Sequence, residues 1–182
     1  MLAGGASSRM GRDKALLAYR ETTLIEHVAR AVIDAVGSVV IIGDPDRYGK
    51  LGHTVCGDRV SGCGPLGGIF TALSTTENDW NLVVACDMPG ISTSALEGLI
   101  DPEPESGRNA VMAIGPGGEP EPLCAVYHRC CLAAVDRAIR EKRFKMRDLV
   151  KGLEAEFRPM EAAVLANVNT PTEWAEFEED AR

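Results

Sequence analysis

The sequence predicts a doubly wound α/β fold, with a mostly parallel mixed sheet covered by helices on both faces to give three α/β/α layers. Short uninterrupted apolar runs alternate with amphipathic segments from one end of the chain to the other. The residues between them are of the kinds that cap helices and close turns.

The runs at residues 39–42, 82–86 and 110–114 have the pattern of strands buried on both faces of a mainly parallel sheet. A shorter strand is expected at 53–56. Between the first strands, Thr23 and Glu26 form a capping box, and Leu24, Ile25, Val28, Val32, Ala35 and Val36 recur at helical spacing up to Gly37, which predicts a helix over 24–36. Pro65 opens a helix to about Ser74, and residues 92–100 form another. Gly115-Pro116-Gly117-Gly118 is a turn, so the apolar stretches 109–114 and 122–127 form one antiparallel excursion in the sheet. Helices near 129–141 and 147–153, a strand near 163–168 and a last helix follow. Thr170-Pro171-Thr172-Glu173 starts that helix with an N-cap, a proline and a capping-box glutamate in register.

A chain of 182 residues is sized for one domain. With 45% hydrophobic and 25% charged residues and no apolar run near the ~20 residues that span a bilayer, it is expected to be soluble and to have no membrane partner. Met1-Leu2-Ala3 leads at once into glycines and serines, without the order of a signal peptide, so the expected compartment is the cytoplasm. The six cysteines contain no C-x-x-C pair and read as reduced core or surface thiols. A net charge of −8 argues against a nucleic-acid partner, which would demand clustered Lys and Arg. The three histidines show no ligand or triad spacing and read as structural.

The opening Leu2-Ala3-Gly4-Gly5-Ala6-Ser7-Ser8-Arg9-Met10-Gly11-Arg12-Asp13-Lys14 gathers small residues, two hydroxyls and three cations in one loop. Small side chains let backbone N–H groups reach an anion, and the cations offset its charge. A structural glycine-rich turn reads equally well from these residues alone. The spacing matches neither G-x-G-x-x-G nor G-x-x-x-x-G-K-[ST], which disfavours a dinucleotide oxidoreductase and a P-loop NTPase. Asp87 directly follows the run 82–86. Its carboxylate is therefore expected at the carboxyl end of a strand, where open α/β sheets bind ligands; capping of the helix near Ser92 is the alternative.

The loop at positions 2–14 resembles the signature of the molybdenum cofactor guanylyltransferase family. Gly64-Pro65-Leu66-Gly67-Gly68, Cys86-Asp87-Met88-Pro89, Pro122-Leu123-Cys124-Ala125-Val126-Tyr127 and Asn167-Val168-Asn169-Thr170-Pro171 stand in the family's order across nearly the whole chain. The resemblance implies a Rossmann-like nucleotide-diphospho-sugar transferase fold and transfer of GMP from GTP to molybdopterin or the molybdenum cofactor, with molybdoenzymes or their chaperones as further partners. It also implies a nucleotide-binding part over about 1–100 and an acceptor-binding part over about 101–182. By the same resemblance Leu2, Ala3 and Gly4 touch the nucleotide through backbone atoms. Lys14 contacts its phosphates, Asp58 its guanine or ribose, and Asp87 holds Mg2+, with Lys14 and Asp87 as the catalytic pair. One or two carboxylates plus phosphate oxygens is how Mg2+ is usually bound. Asn169 holds a substrate hydroxyl or shapes the entry to the last helix. Without the resemblance, Asp58 reads as a loop carboxylate and Lys14 as a surface lysine.

Two departures stand out. In the family the glycine loop follows a buried first strand, whereas only Met1 precedes Leu2, so the sheet is expected to lack most of a central strand. Ile42-Gly43-Asp44 also lacks the asparagine expected there. A molybdopterin cytidylyltransferase or a sugar-phosphate nucleotidyltransferase remains an alternative with the same chemistry, and a non-catalytic cofactor-binding module is a second. Arg140, Lys142, Arg143, Lys145 and Arg147 are expected either to help receive an anionic acceptor or partner or to form a solvated helix end.

Overall fold

The computed structural model describes residues 1–4, 13–100 and 104–168, together with residues 170, 173, 174 and 177. Most of the glycine loop, Ser7, Arg9 and Arg12 included, lies outside the described residues, as do Asn169, Pro171 and Thr172.

After a 3-10 turn at Lys14–Leu16, a small hairpin of β1 (Ala18–Tyr19) and β2 (Thr22–Thr23) leads into α1 (Leu24–Val36). The predicted capping box forms there, with the Thr23 N–H donating to Glu26 Oε2 at 3.1 Å, and Gly37 closes the helix in the left-handed region. Next come β3 (Val40–Ile42), a short α2 (Pro45–Tyr48), β4 (Thr54–Cys56) and α3 (Pro65–Thr75). After these follow β5 (Trp80–Val84), α4 (Thr93–Ile100), β6 (Ala110–Ile114) and β7 (Pro120–His128). The chain continues through a 3-10 turn at Arg129–Cys131 into α5 (Leu132–Arg140), α6 (Met146–Val150), β8 (Ala155–Pro159) and α7 (Ala162–Leu165).

β3 pairs with β4 in parallel, β6 with β8 in parallel, and β7 lies antiparallel between β5 and β6. Leu2 bridges to both Ile42 and Ala85 in parallel, which joins the two halves in the order β4, β3, residues 1–3, β5, β7, β6, β8. β7 is thus the antiparallel excursion that the Gly115–Gly118 turn predicts. Alternation of side chains builds a core on each face. Val84, Val111 and Ala113 pack with α1 and α4, whereas Val83, Ala110, Met112, Ala125 and Tyr127 pack with α3, α5 and α6. The period of two expected of strands thereby gives the doubly wound three-layer architecture.

One sequence expectation fails at the C-terminal end, and one strand there was not expected. The stretch predicted as a strand at 163–168 holds α7 instead, and the strand of that region is β8, eight residues earlier, at the sheet edge beside β6. A four-residue apolar run fits a strand or a buried helix equally well by periodicity. β8 carries Glu156 and Arg158 among its five residues and exposes Phe157, the polar make-up of an edge strand.

Residues 1–3 wedge between β3 and β5, with the Met1 amino group donating to Val40 O at 2.9 Å and burial pushing that amine down to about 6. On the far side of Met1, the facing edges of β3 and β5 flank a slot of about 540 Å³, floored and roofed by Val32 and Val36 of α1 and by Ala72 and Thr75 of α3.

Candidate nucleotide and metal site

The carboxyl ends of residues 1–3 and β5 open on one cavity of about 270 Å³, lined by Leu2, Gly4, Lys14, Gly64, Asp87 and Leu123 among others. This is the edge of an open α/β sheet at which ligands bind. Lys14 Nζ meets Asp87 Oδ2 at 2.5 Å, with each side chain 20% exposed, so the two predicted catalytic residues are brought together and face solvent through the cavity.

Each is held from below. Asp13 caps the turn that carries Lys14 by accepting from the Ala15 N–H at 3.1 Å, and it also accepts from the Tyr48 hydroxyl at 2.8 Å and from Arg47 at 3.3 Å. Burial, reinforced by Asp13, raises the Tyr48 hydroxyl pKa, so it remains a donor. On the other side, the Cys86 N–H donates to Leu2 O at 3.0 Å, and Asp87 O accepts from the Val168 N–H at 3.0 Å. The Cys-Asp-Met-Pro and Asn-Val-Asn-Thr-Pro motifs therefore meet directly. Burial, and next the Asp87 charge, push the Cys86 thiol up to about 12, which leaves it inert as a nucleophile.

Leu2 donates to Val84 O and Ala3 to Ile42 O, both at 2.8 Å. Their N–H groups are spent in the sheet, so any contact they make with a nucleotide runs through a carbonyl lone pair or the side chain. Gly4 lines the cavity. Gly64, at φ 57° and ψ −145°, takes a backbone conformation that favours glycine, and the chain turns there to aim the start of α3 at the cavity. In the Ile42-Gly43-Asp44 segment, which lacks the expected asparagine, Gly43 lets the chain pass close to Ala3 O and the Tyr48 ring, and Asp44 caps α2 through the Asp46 N–H at 2.9 Å.

Asp58 stands apart. It follows β4, is not among the residues lining this cavity, and has its pKa raised by burial, with Thr71 opposing. Three arginines of the basic segment have acidic partners on the same stretch: Arg140 with Asp136 at 2.9 Å, Arg143 with Glu141 at 2.6 Å and Arg147 with Asp148 at 3.8 Å. Much of that local charge is cancelled. Sequence reasoning missed Tyr48, Arg47 and Glu121. Glu121 accepts from the Leu123 N–H at 2.9 Å, and burial raises its pKa, with the Asp87 charge adding to the rise. Leu123 N–H lies two residues from Glu121, but Asp13 and Tyr48 are 35 apart in sequence, and no local pattern announces such a pair.

Among the described residues no three His, Cys, Asp or Glu side chains cluster as a complete metal cage. Asp87 offers one hard carboxylate beside space for phosphate, the donor set that suits Mg2+ shared between protein and nucleotide.

The model of the MobA-like NTP transferase domain matches residues 1–158. The chain belongs to the MobA-like NTP transferase family. Within it, a relative from Flavobacterium johnsoniae that bears the name probable molybdenum cofactor guanylyltransferase is 33% identical over 95% of this chain and 92% of its own. One of the same name from Halalkalibacterium halodurans is 33% identical over 97% and 95%. The crystal structure of molybdopterin-guanine dinucleotide biosynthesis protein A from Archaeoglobus fulgidus superposes with a TM-score of 0.79 at 25% identity, covering 99% of this chain and 96% of that one. A cytidylyltransferase from Thermus thermophilus shares the fold at a TM-score of 0.70 and 19% identity, over 93% of this chain and 94% of that one. As family membership requires, the chain is a nucleotidyltransferase.

Proposed function

We propose that this nucleotidyltransferase is magnesium-dependent and transfers GMP from GTP to the terminal phosphate of molybdopterin or of its metal-loaded form. Pyrophosphate leaves, and the guanine dinucleotide form of the cofactor is made. The observation that carries the proposal is the meeting of Lys14 and Asp87 at 2.5 Å in the cavity at the strand ends, in a chain whose full-length relatives bear the guanylyltransferase name.

Such transfer needs positioning and charge neutralisation more than covalent chemistry. A phosphate oxygen of the acceptor attacks the α-phosphorus in line as the bond to the pyrophosphate oxygen breaks. Lys14, fixed on a turn braced by Asp13 and Tyr48, offsets the charge that grows on the departing pyrophosphate. Asp87 would hold Mg2+, which supplies Lewis-acid stabilisation of phosphate charge when bound. Leu2 and Gly4 line the floor under the nucleotide with Ala3 buried between them, and Asp58, which lies off this cavity, contacts its guanine or ribose. Residues 1–100 then serve the nucleotide, and residues 101–182, which bring Leu123 to the cavity and Val168 to Asp87, serve the acceptor. No helix among the described residues is long and apolar enough to cross a membrane, which fits a cytoplasmic enzyme.

Thermal unfolding with GTP, CTP or ATP in the presence of Mg2+ tests the reading. A ligand at 100 times its Kd stabilises the native state by about 2.7 kcal/mol, roughly 5–10 °C for a domain of this size. GTP should give that shift and CTP and ATP little. Equal protection by CTP would move the assignment to cytidylyl transfer. In a folded Asp87→Ala variant, transfer should fall by at least ~10²-fold, and near-normal turnover would remove Asp87 from the site.

A further inference from the structure

The Lys14–Asp87 pair joins two groups that the reaction needs apart, since one must meet phosphate and the other a divalent cation. Both come from anchored turns, Lys14 from the one capped by Asp13 and Asp87 from the one tied to Leu2 and Val168. Their 2.5 Å contact, with both side chains four-fifths covered, is thus set by the fold and lies in a less screening medium than bulk water.

We propose that the Lys14 ammonium is a tethered competitor for the cation position on Asp87, so that divalent cation and nucleotide bind with positive coupling. The proposal rests on the reading of Asp87 as the metal residue. While Lys14 sits on Oδ2, a divalent cation must either displace it or take Oδ1 with a unit positive charge a few ångströms away. Both routes weaken binding of the cation alone. Nucleotide phosphates give the ammonium a second anionic partner and draw it off the carboxylate, which frees the cation position when substrate is present. Linkage makes the effect reciprocal, so the cation raises nucleotide affinity by the same factor. The neighbouring cation, Arg47, is bound to Asp13 and Asp44 and takes no part in the exchange.

The test is Mn2+ binding to the nucleotide-free protein, followed by the electron paramagnetic resonance signal of free Mn2+. The proteins are the wild type, Lys14→Met, Arg47→Ala and Asp87→Asn, each checked for folding by circular dichroism, with Lys14→Gln in reserve. Lys14→Met should bind Mn2+ about 10-fold tighter than the wild type, within the range of ordinary site coupling. Arg47→Ala should stay within about twofold and Asp87→Asn should lose the site. Mn2+ binding that needs Asp87 yet does not tighten in either Lys14 variant overturns the competitor role and leaves the metal assignment standing. Equal tightening in Arg47→Ala overturns it too, by reducing the effect to general charge. Mn2+ binding unaffected by Asp87→Asn overturns the metal assignment itself.

Discussion

Gly43→Ala tests how tightly the fold and the proposed nucleotide floor are coupled. An added Cβ would stand 2.2 Å from Ala3 O and 2.9 Å from the Tyr48 ring, so the backbone carbonyl must yield by about 1 Å to reach ordinary contact. Ala3 can give way only by stretching its bond to Ile42 O and the neighbouring bond from the Ile42 N–H to Met1 O. Movement of Tyr48 loosens its hold on Asp13. Overpacking of about 1–3 kcal/mol together with two weakened backbone hydrogen bonds at about 0.5–1.5 kcal/mol each brings the expected loss to roughly 2–6 kcal/mol. For a domain of this size that lowers the melting temperature by roughly 4–24 °C. The control is Gly49→Ala, where no atom lies within 4 Å of the new Cβ and the backbone is already right-handed helical. Both variants are melted by circular dichroism and assayed for the KM of GTP. Gly43→Ala should be less stable with a raised KM, and Gly49→Ala should match the wild type. Gly43→Ala melting within about a degree of the wild type would refute the coupling.

Other expectations follow from the same geometry. Lys14→Ala should weaken GTP and CTP by similar factors, because the role proposed for the ammonium is on phosphates, and a changed base preference in competition assays would contradict that role. Thr23→Ala removes the hydroxyl half of the α1 capping box and should cost about 1 kcal/mol, read as a lower denaturant midpoint with an unchanged KM for GTP. His27, packed against Tyr19 and hydrogen-bonded to Pro89 O at 3.1 Å, has its pKa lowered by burial. The unfolded chain then binds the proton more readily, so His27 favours stability fully above its ordinary value of about 6.5 and loses that contribution as pH falls through the lowered folded value. His27→Gln should lose less stability than the wild type between neutral and mildly acidic pH, and parallel melting curves for the two would disprove the linkage.

Much of the architecture was legible because its signals are local. The Thr23–Glu26 box, Pro65 at the head of α3 and the Gly115–Gly118 turn each mark a boundary through the backbone geometry they favour. β8 was not legible, since its charged, half-exposed residues obey no buried-strand pattern and its place is set by pairing with β6. The 163–168 stretch misled because a short apolar run has no period long enough to choose a helix over a strand. In the site, Asp87 could be placed from the strand it ends, and its meeting with Lys14 agrees with the rule that ligands gather at strand carboxyl ends. Asp58 carried no such positional signal, and it lies off the shared cavity. Tyr48 and Arg47 matter through Asp13, far along the chain, and long-range pairings of that kind become visible only in three dimensions.

The tie from the Val168 N–H to Asp87 O has a practical consequence for anyone who trims the protein. Shortening the chain to end with β8 would remove that bond, along with the packing of Val164 and Leu165 against the core that α1 and α4 share with the sheet. The paired strands would remain, but the turn that carries Asp87 would lose one of its two backbone supports, so trimming there bears on the cavity as well as on yield.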